Sequence, residues 1–238
     1  MKRHLLIGSI TGAITLAFTL LDQQIVRAQG TMTYLSNLGQ ASAGSLAVGS
    51  NSWVSATFMT GTNFSGYILN SVQLEMTDAS KNPSGFTAYV YSAAPASGGL
   101  PAVWVPNSNL GAFSSSLDPT TAGIYTFTAV SNIMLSASTY YCIVLTAGTA
   151  VADGAYGWSY TVATNNNSSG GWFFPVEDFG VSTSTTGAQH IPPNWYPING
   201  EYPQFAIDAT VIPEPGVLGL LGLGGLAFLW HRRKAKGS

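Results

Sequence analysis

The central part of this sequence predicts an all-β fold, an antiparallel β-sandwich or jelly roll, and three observations carry that expectation. Residues 33–211 break into short runs rich in Val, Ile, Thr, Tyr and Phe, several of which alternate apolar and polar side chains. Clusters of Gly, Pro, Asn and Ser separate those runs as turns would. No window before the C-terminal tail repeats apolar residues at helical spacing between caps. Regularly spaced strands of this kind fit two packed sheets, and 238 residues are ample for a core. The two ends read differently. An N-terminal signal-peptide helix (1–28) and a C-terminal transmembrane helix (within 212–238) are expected to flank a body spanning 29–211.

The first element opens "MKRHLLIGSITGAITLAFTLL": Lys2 and Arg3 precede an apolar stretch, and "IVRAQG" then places Val26 and Ala28 at the −3 and −1 positions of a cleavage after Ala28. That order of basic, apolar and small-residue segments is a secretory signal peptide. A retained N-terminal anchor is the other reading of the same residues, and either one exports the body.

The body's candidate strands follow in order: 33–38, 52–59, 66–77, 86–92, 123–130, 139–147, 155–162 and 204–211. Alternation is clearest from Ile124 to Val130 and from Phe205 to Val211, where residues i and i+2 share a face. "KNPSG" (81–85), "LDPTTAG" (117–123) and "TNNNSSGG" (164–171) read as turns. Leu135, Thr139 and Tyr141 have the spacing of a tyrosine corner, in which a Tyr hydroxyl bonds nearby backbone; plain strand aromatics explain them as well. Both readings make Tyr141 structural.

Charge is segregated along the chain. Lys2, Arg3 and Arg27 stand at one end and Arg232, Arg233, Lys234 and Lys236 at the other. Between residues 29 and 212, Lys81 alone faces eight acids (Glu75, Asp78, Asp118, Asp153, Glu177, Asp178, Glu201, Asp208), so one minus eight gives a formal −7. Phosphate contacts need clustered Lys and Arg, so nucleic acid is excluded as a partner. The single Cys142 cannot form an internal disulfide or a multi-cysteine metal site.

The last element is "VIPEPGVLGLLGLGGLAFLWHRRKAKGS" (211–238). Val217–Trp230 is uncharged but shorter than the roughly 20 residues of an ordinary spanning helix. Its terminal place, the interfacial Trp230 and the basic tail 231–238 nevertheless fit a stop-transfer segment obeying the positive-inside rule, and Arg232 and Arg233 can snorkel to a thinned bilayer surface. Ahead of it, Pro213 and Pro215 hold the chain extended and present Glu214. That geometry suits recognition by a processing enzyme and equally serves as a stop between body and helix.

Pro213-Glu214-Pro215, the Gly/Leu-rich segment and "HRRKAK", in this order at the C-terminus, resemble the PEP-CTERM sorting signal of exported bacterial proteins. The resemblance implies an exosortase-like enzyme as partner, a membrane-embedded cysteine-dependent sorting enzyme, with cleavage near the motif. It also implies an inner-membrane-anchored precursor, delivered to the cell surface or the exopolysaccharide matrix. Within residues 33–163, "WVSATFMTG", "YILNSVQLEM", "NPSGFTAYVYS", "DPTTAGIYTFTA" and "LSASTYYCIVLTAG" resemble the choice-of-anchor R domain, a family of exported bacterial β domains. That second resemblance implies a fold and no reaction.

Chemistry-bearing constellations are sparse. Nucleophilic hydrolysis needs a base, and His190 in "GAQHIPPNW" is the only histidine of the body. Asp78, Ser80 and Asn82 alternate as calcium ligands do, yet Pro83 stands where a calcium loop wants Gly and an Asx turn explains the same residues. No catalytic residue, cofactor or metal ligand is therefore assigned. Glu177 and Asp178 are adjacent, which in a strand sends them to opposite faces, a poor acid and base for a glycan-active hydrolase. Five tryptophans in the body invite a carbohydrate-binding reading: Trp104, Trp195 and Tyr196 lie in proline-rich segments expected to be exposed loops and able to stack on sugar rings, whereas Trp53 and Trp158 are expected in the core. The leading expectation is a non-enzymatic exported surface protein; a carbohydrate-binding module is the first alternative and a glycan-active hydrolase, for which the eight acids supply carboxylates, the second.

Overall fold

The computed structural model describes residues 30–95, 104–164, 166–175, 179–182, 195–197 and 200–214. The expected signal peptide with Val26 and Ala28, Pro215, the apolar run 217–230 and Arg232, Arg233, Lys234 and Lys236 lie outside these residues, as do Glu177, Asp178 and His190. Among the described residues the regular structure is all strand, and no helix is long and apolar enough to cross a membrane.

The strands are β1 (Met32–Ser36), β2 (Gly44–Val48), β3 (Trp53–Met59), β4 (Tyr67–Lys81), β5 (Thr87–Pro95), β6 (Trp104–Ser114) and β7 (Gly123–Leu135). They continue with β8 (Tyr140–Thr146), β9 (Gly154–Thr161), β10 (Asn167–Ser168), β11 (Phe179–Ser182), β12 (Tyr196–Pro197), β13 (Tyr202–Pro203) and β14 (Phe205–Val211). All join one antiparallel sheet in the order β10-β1-β14-β4-β7-β6-β5-β8-β3-β11-β12, with β9 bonded to β2, β4 and β13.

That sheet curls. β14 and β3 are six steps apart in the sheet order, which in a flat sheet would separate them by about 29 Å. Instead the rings of Phe205 on β14 and Phe58 on β3 lie 6.5 Å apart across the core. Trp172, 1% exposed, packs beside Phe58: it stacks on that ring at 5.8 Å and 2° and on Tyr34 of β1 at 5.2 Å, and meets Tyr67 of β4 edge-on at 4.9 Å. Offset-stacked and edge-to-face pairs of this kind add to the gain from burying the rings. The close approach requires Gly61, because a Cβ there would collide with the Gly170 carbonyl.

β2 and β6 were not legible as strands. "GSLAV" is short and built largely of small residues, and β6 carries Pro106 and Gly111 in a stretch that reads as a loop. Pairing with β5 holds β6 in place, through register shifts at Val90/Tyr91 and Tyr91/Ala93 that absorb the irregularity. β4 is longer than expected because its first half pairs β14 and its second half pairs β9, so both halves have a ladder. The tyrosine corner is present: the Ser136 amide donates to the Tyr141 hydroxyl at 2.8 Å, and Thr60 Oγ1 donates to the Ser136 carbonyl at 2.6 Å.

Asp78 and Ser80 sit on β4 instead of in an Asx turn. Asp78 Oδ1 accepts the Ala122 amide at 2.8 Å and Ser80 Oγ accepts the Ala155 amide at 3.0 Å, so both oxygens tie neighbouring segments to the strand. Asp208, 8% exposed, is held by three neutral donors: Thr33 Oγ1 at 2.6 Å, Ser71 Oγ at 2.9 Å and Gln73 Nε2 at 3.0 Å. Three donors converging on one carboxyl satisfy its oxygens, so among the described residues the site needs no cation to be tolerated in the sheet.

Candidate functional site

Two places on the body have the makings of a site, the C-terminal exit and an aromatic groove. β14 pairs β4 through Val211↔Tyr67, and the ladder is then prolonged by one residue. The Ile212 amide donates to the Gly66 carbonyl at 3.0 Å, and Asn63 Nδ2 donates to the Ile212 carbonyl at 3.0 Å. The same Asn63 closes its own turn by donating to the Gly66 carbonyl at 2.6 Å, while the Gly66 amide donates to the Asn63 carbonyl at 2.9 Å. Gly66 has φ 83°, and a Cβ there would lie 2.4 Å from the Leu135 carbonyl oxygen, so the clamp depends on glycine. Pro213 and Glu214 follow at once and are exposed. The strand end is therefore clamped one residue before an exposed Pro-Glu pair.

The groove forms on the opposite face of β3, β5 and β8 from the main core. There Trp53, Tyr91, Cys142 and Val144 make a second buried cluster, with Tyr89, Ala93 and Trp195 packed against it. Strand alternation places Thr87, Tyr89 and Tyr91 on one face of β5. With Trp53, Asn109 and Thr146 they line an open cleft of about 400 Å³, within the range of small-ligand sites. Among the described residues no charged side chain lines it. Tyr89 and Tyr91 meet edge-on at 6.2 Å, and Asn109 Nδ2 donates to the Tyr91 hydroxyl at 3.4 Å. Burial pushes the Tyr91 phenol up; the Asn109 bond acts against that shift and Tyr89 adds to it, so the hydroxyl stays protonated at neutral pH. Such a surface offers neutral donors and acceptors beside aromatic rings.

The sugar-stacking residues expected from sequence are distributed otherwise. Trp104 begins β6 instead of sitting in a loop, and its ring already stacks on Tyr140 at 4.2 Å and 15°. Trp195 is half-buried against the second cluster, and its indole N–H is buried without an acceptor among the described residues. Tyr196 lies on β12, the strand that extends the sheet beyond β11. Trp53 and Trp158 are buried, Trp158 with its N–H on the Gln204 carbonyl at 3.0 Å. The groove's own aromatics, Tyr89 and Tyr91, escaped sequence reasoning; their only local signal is the alternation in "FTAYVYS".

Residues 211–234 match the PEP-CTERM protein-sorting motif. The motif supports exosortase-dependent sorting of an exported protein and implies a C-terminal membrane-anchored precursor stage. No curated protein and no solved structure matches the chain.

Proposed function

We propose that this chain is a non-enzymatic protein of the cell surface or the exopolysaccharide matrix. In this reading it is exported after cleavage behind Ala28, held by 217–230 across the inner membrane, and released or transferred by an exosortase at Pro213-Glu214-Pro215. Its body is a choice-of-anchor R-like sandwich whose role is structural or adhesive. The observation that carries the reading is the sorting motif beginning where the last core strand ends, with Pro213 and Glu214 exposed beyond the Ile212 clamp. Mass spectrometry of the mature protein from cells tests it: the C-terminal peptide is expected to be lost in wild type and kept when Pro213, Glu214 and Pro215 are replaced by Ala. An unmodified C-terminal peptide in the mature wild-type species makes the tail a permanent anchor instead.

A second reading, carbohydrate binding, is favoured by the aromatic cleft of Trp53, Tyr89 and Tyr91, whose described lining carries no charge. The residues expected to carry it change accordingly, from Trp104, Trp195 and Tyr196 to the groove. Titration with neutral polysaccharide while following Trp fluorescence discriminates: a saturable shift abolished by Tyr89→Ala supports binding, and an unchanged spectrum removes it.

A further inference from the structure

β5 separates two openings. Thr87, Tyr89 and Tyr91 on one face border the cleft described above, and Ala88 on the other face, with Phe86 just before the strand, lines a second cavity of about 410 Å³. Gly85 lines both and has no side chain to part them.

The second cavity differs in chemistry. Phe86, Phe113 and Phe127 supply an apolar wall, and the largely exposed run from Ser114 to Asp118 supplies hydroxyls and a carboxylate. Among the described residues Asp118 is the one charged side chain in the lining. Its Oδ2 accepts the hydroxyl of the buried Tyr156 at 2.9 Å, and no donor of the described residues reaches Oδ1. The segment that follows is pinned to β4: the Ala79 amide donates to the Thr120 carbonyl at 2.9 Å and the Ala122 amide to Asp78 Oδ1 at 2.8 Å. A carboxylate fixed through one oxygen and open at the other loses little freedom when a ligand arrives.

We propose that the cleft and the cavity are two subsites for one linear, neutral oligosaccharide, with a sugar ring against Tyr89 in the first and sugar hydroxyls donating to Asp118 in the second. The inference rests on the carbohydrate reading of the groove and deepens it by naming the charge and length of the ligand. Thr87 to Tyr91 covers about 13 Å, and Gly85 carries the path further, so a ligand that fills both subsites is longer than one sugar ring. It must offer donors to a carboxylate, uncharged polar groups to Thr87, Asn109 and the tyrosine hydroxyls, and apolar faces to the rings; a neutral glycan has all three. A uronate-bearing chain would set its own carboxylates against Asp118.

Calorimetric titration of the full-length chain, in a detergent without sugar headgroups, tests this with cellobiose and cellohexaose. Wild type is expected to bind the hexasaccharide about tenfold more tightly than the disaccharide, the gain of one charge-assisted subsite. Asp118→Asn, which keeps an acceptor for Tyr156, is expected to lose that preference, and Tyr89→Ala to lose binding at both lengths. Equal affinity for the two lengths in wild type, or a preference that survives Asp118→Asn, overturns the second subsite alone. No saturable heat with either sugar overturns the groove reading and the second subsite with it.

Discussion

The main core and the second cluster are both built of aromatic rings, yet they use them in opposite ways. Trp172 has both faces stacked, by Phe58 and Tyr34, and its edge met by Tyr67, so its indole has no surface left for anything else. In the second cluster Trp53 and Tyr91 are themselves buried with Cys142 and Val144, and the ring left partly open beside the cleft is the half-buried Tyr89. The difference teaches that an aromatic count says little about binding. What matters is how many ring faces the fold has already occupied, and Trp104, stacked on Tyr140, shows that a ring in a proline-rich stretch can be occupied too.

Breaking the core side should have the largest effect. Trp172→Ala removes the ring that β1, β3 and β4 share, and truncation of a buried Trp costs about 4 kcal/mol. Denaturant unfolding followed by intrinsic fluorescence should show a midpoint lowered accordingly, with the slope unchanged if the collapse stays cooperative. Asp208→Ala comes next, at about 2–3 kcal/mol, because Thr33, Ser71 and Gln73 lose a charged acceptor together. Asp208→Asn should recover part of that loss, since it restores an acceptor without the charge.

Alkaline pH probes the core side through Tyr156. Burial raises its phenol pKa first, and the Asp118 bond and charge raise it further, against a smaller opposing effect from the Phe86 backbone. A phenol that ionises more readily unfolded than folded leaves the native state binding more protons above about pH 10, so stability is constant below that and falls as pH rises through it. Tyr156→Phe should flatten this alkaline decline in a series of unfolding curves, while lowering neutral-pH stability by about 1 kcal/mol for the hydrogen bonds lost to Asp118 and Pro83.

Legibility in the sequence followed the same divide between local and assembled features. Strands with a full alternating pattern, such as Phe205–Val211, could be placed because the period of side-chain exposure is written in neighbouring residues. The sorting motif is contiguous and was readable for that reason. β2 and β6 were not, since Gly44, Pro106 and Gly111 give no strand preference and only pairing with β9 and β5 makes them strands. The groove draws Trp53, Tyr91, Asn109 and Thr146 from four strands, so no window of sequence contains it. Curling of the sheet, which brings Phe58 to Phe205, is likewise a property of tertiary pairing and not of either segment.

The smallest expected effect on stability sharpens the comparison most. Tyr89 is only half-buried on the groove side, so Tyr89→Ala should lower stability by less than about 1 kcal/mol, well below the loss at Trp172. If the groove takes neutral sugars, the same substitution should abolish retention on a polysaccharide column, because a stacking face is lost while the fold is kept. Tyr141→Phe provides the matched control. It removes the acceptor of the Ser136 amide at the tyrosine corner, costs about 1 kcal/mol, and should leave retention unchanged because that corner lies on the core side of the sheet. Equal loss of retention in both variants would mean that the column reads foldedness, and the distinction between occupied and open ring faces would then carry no function.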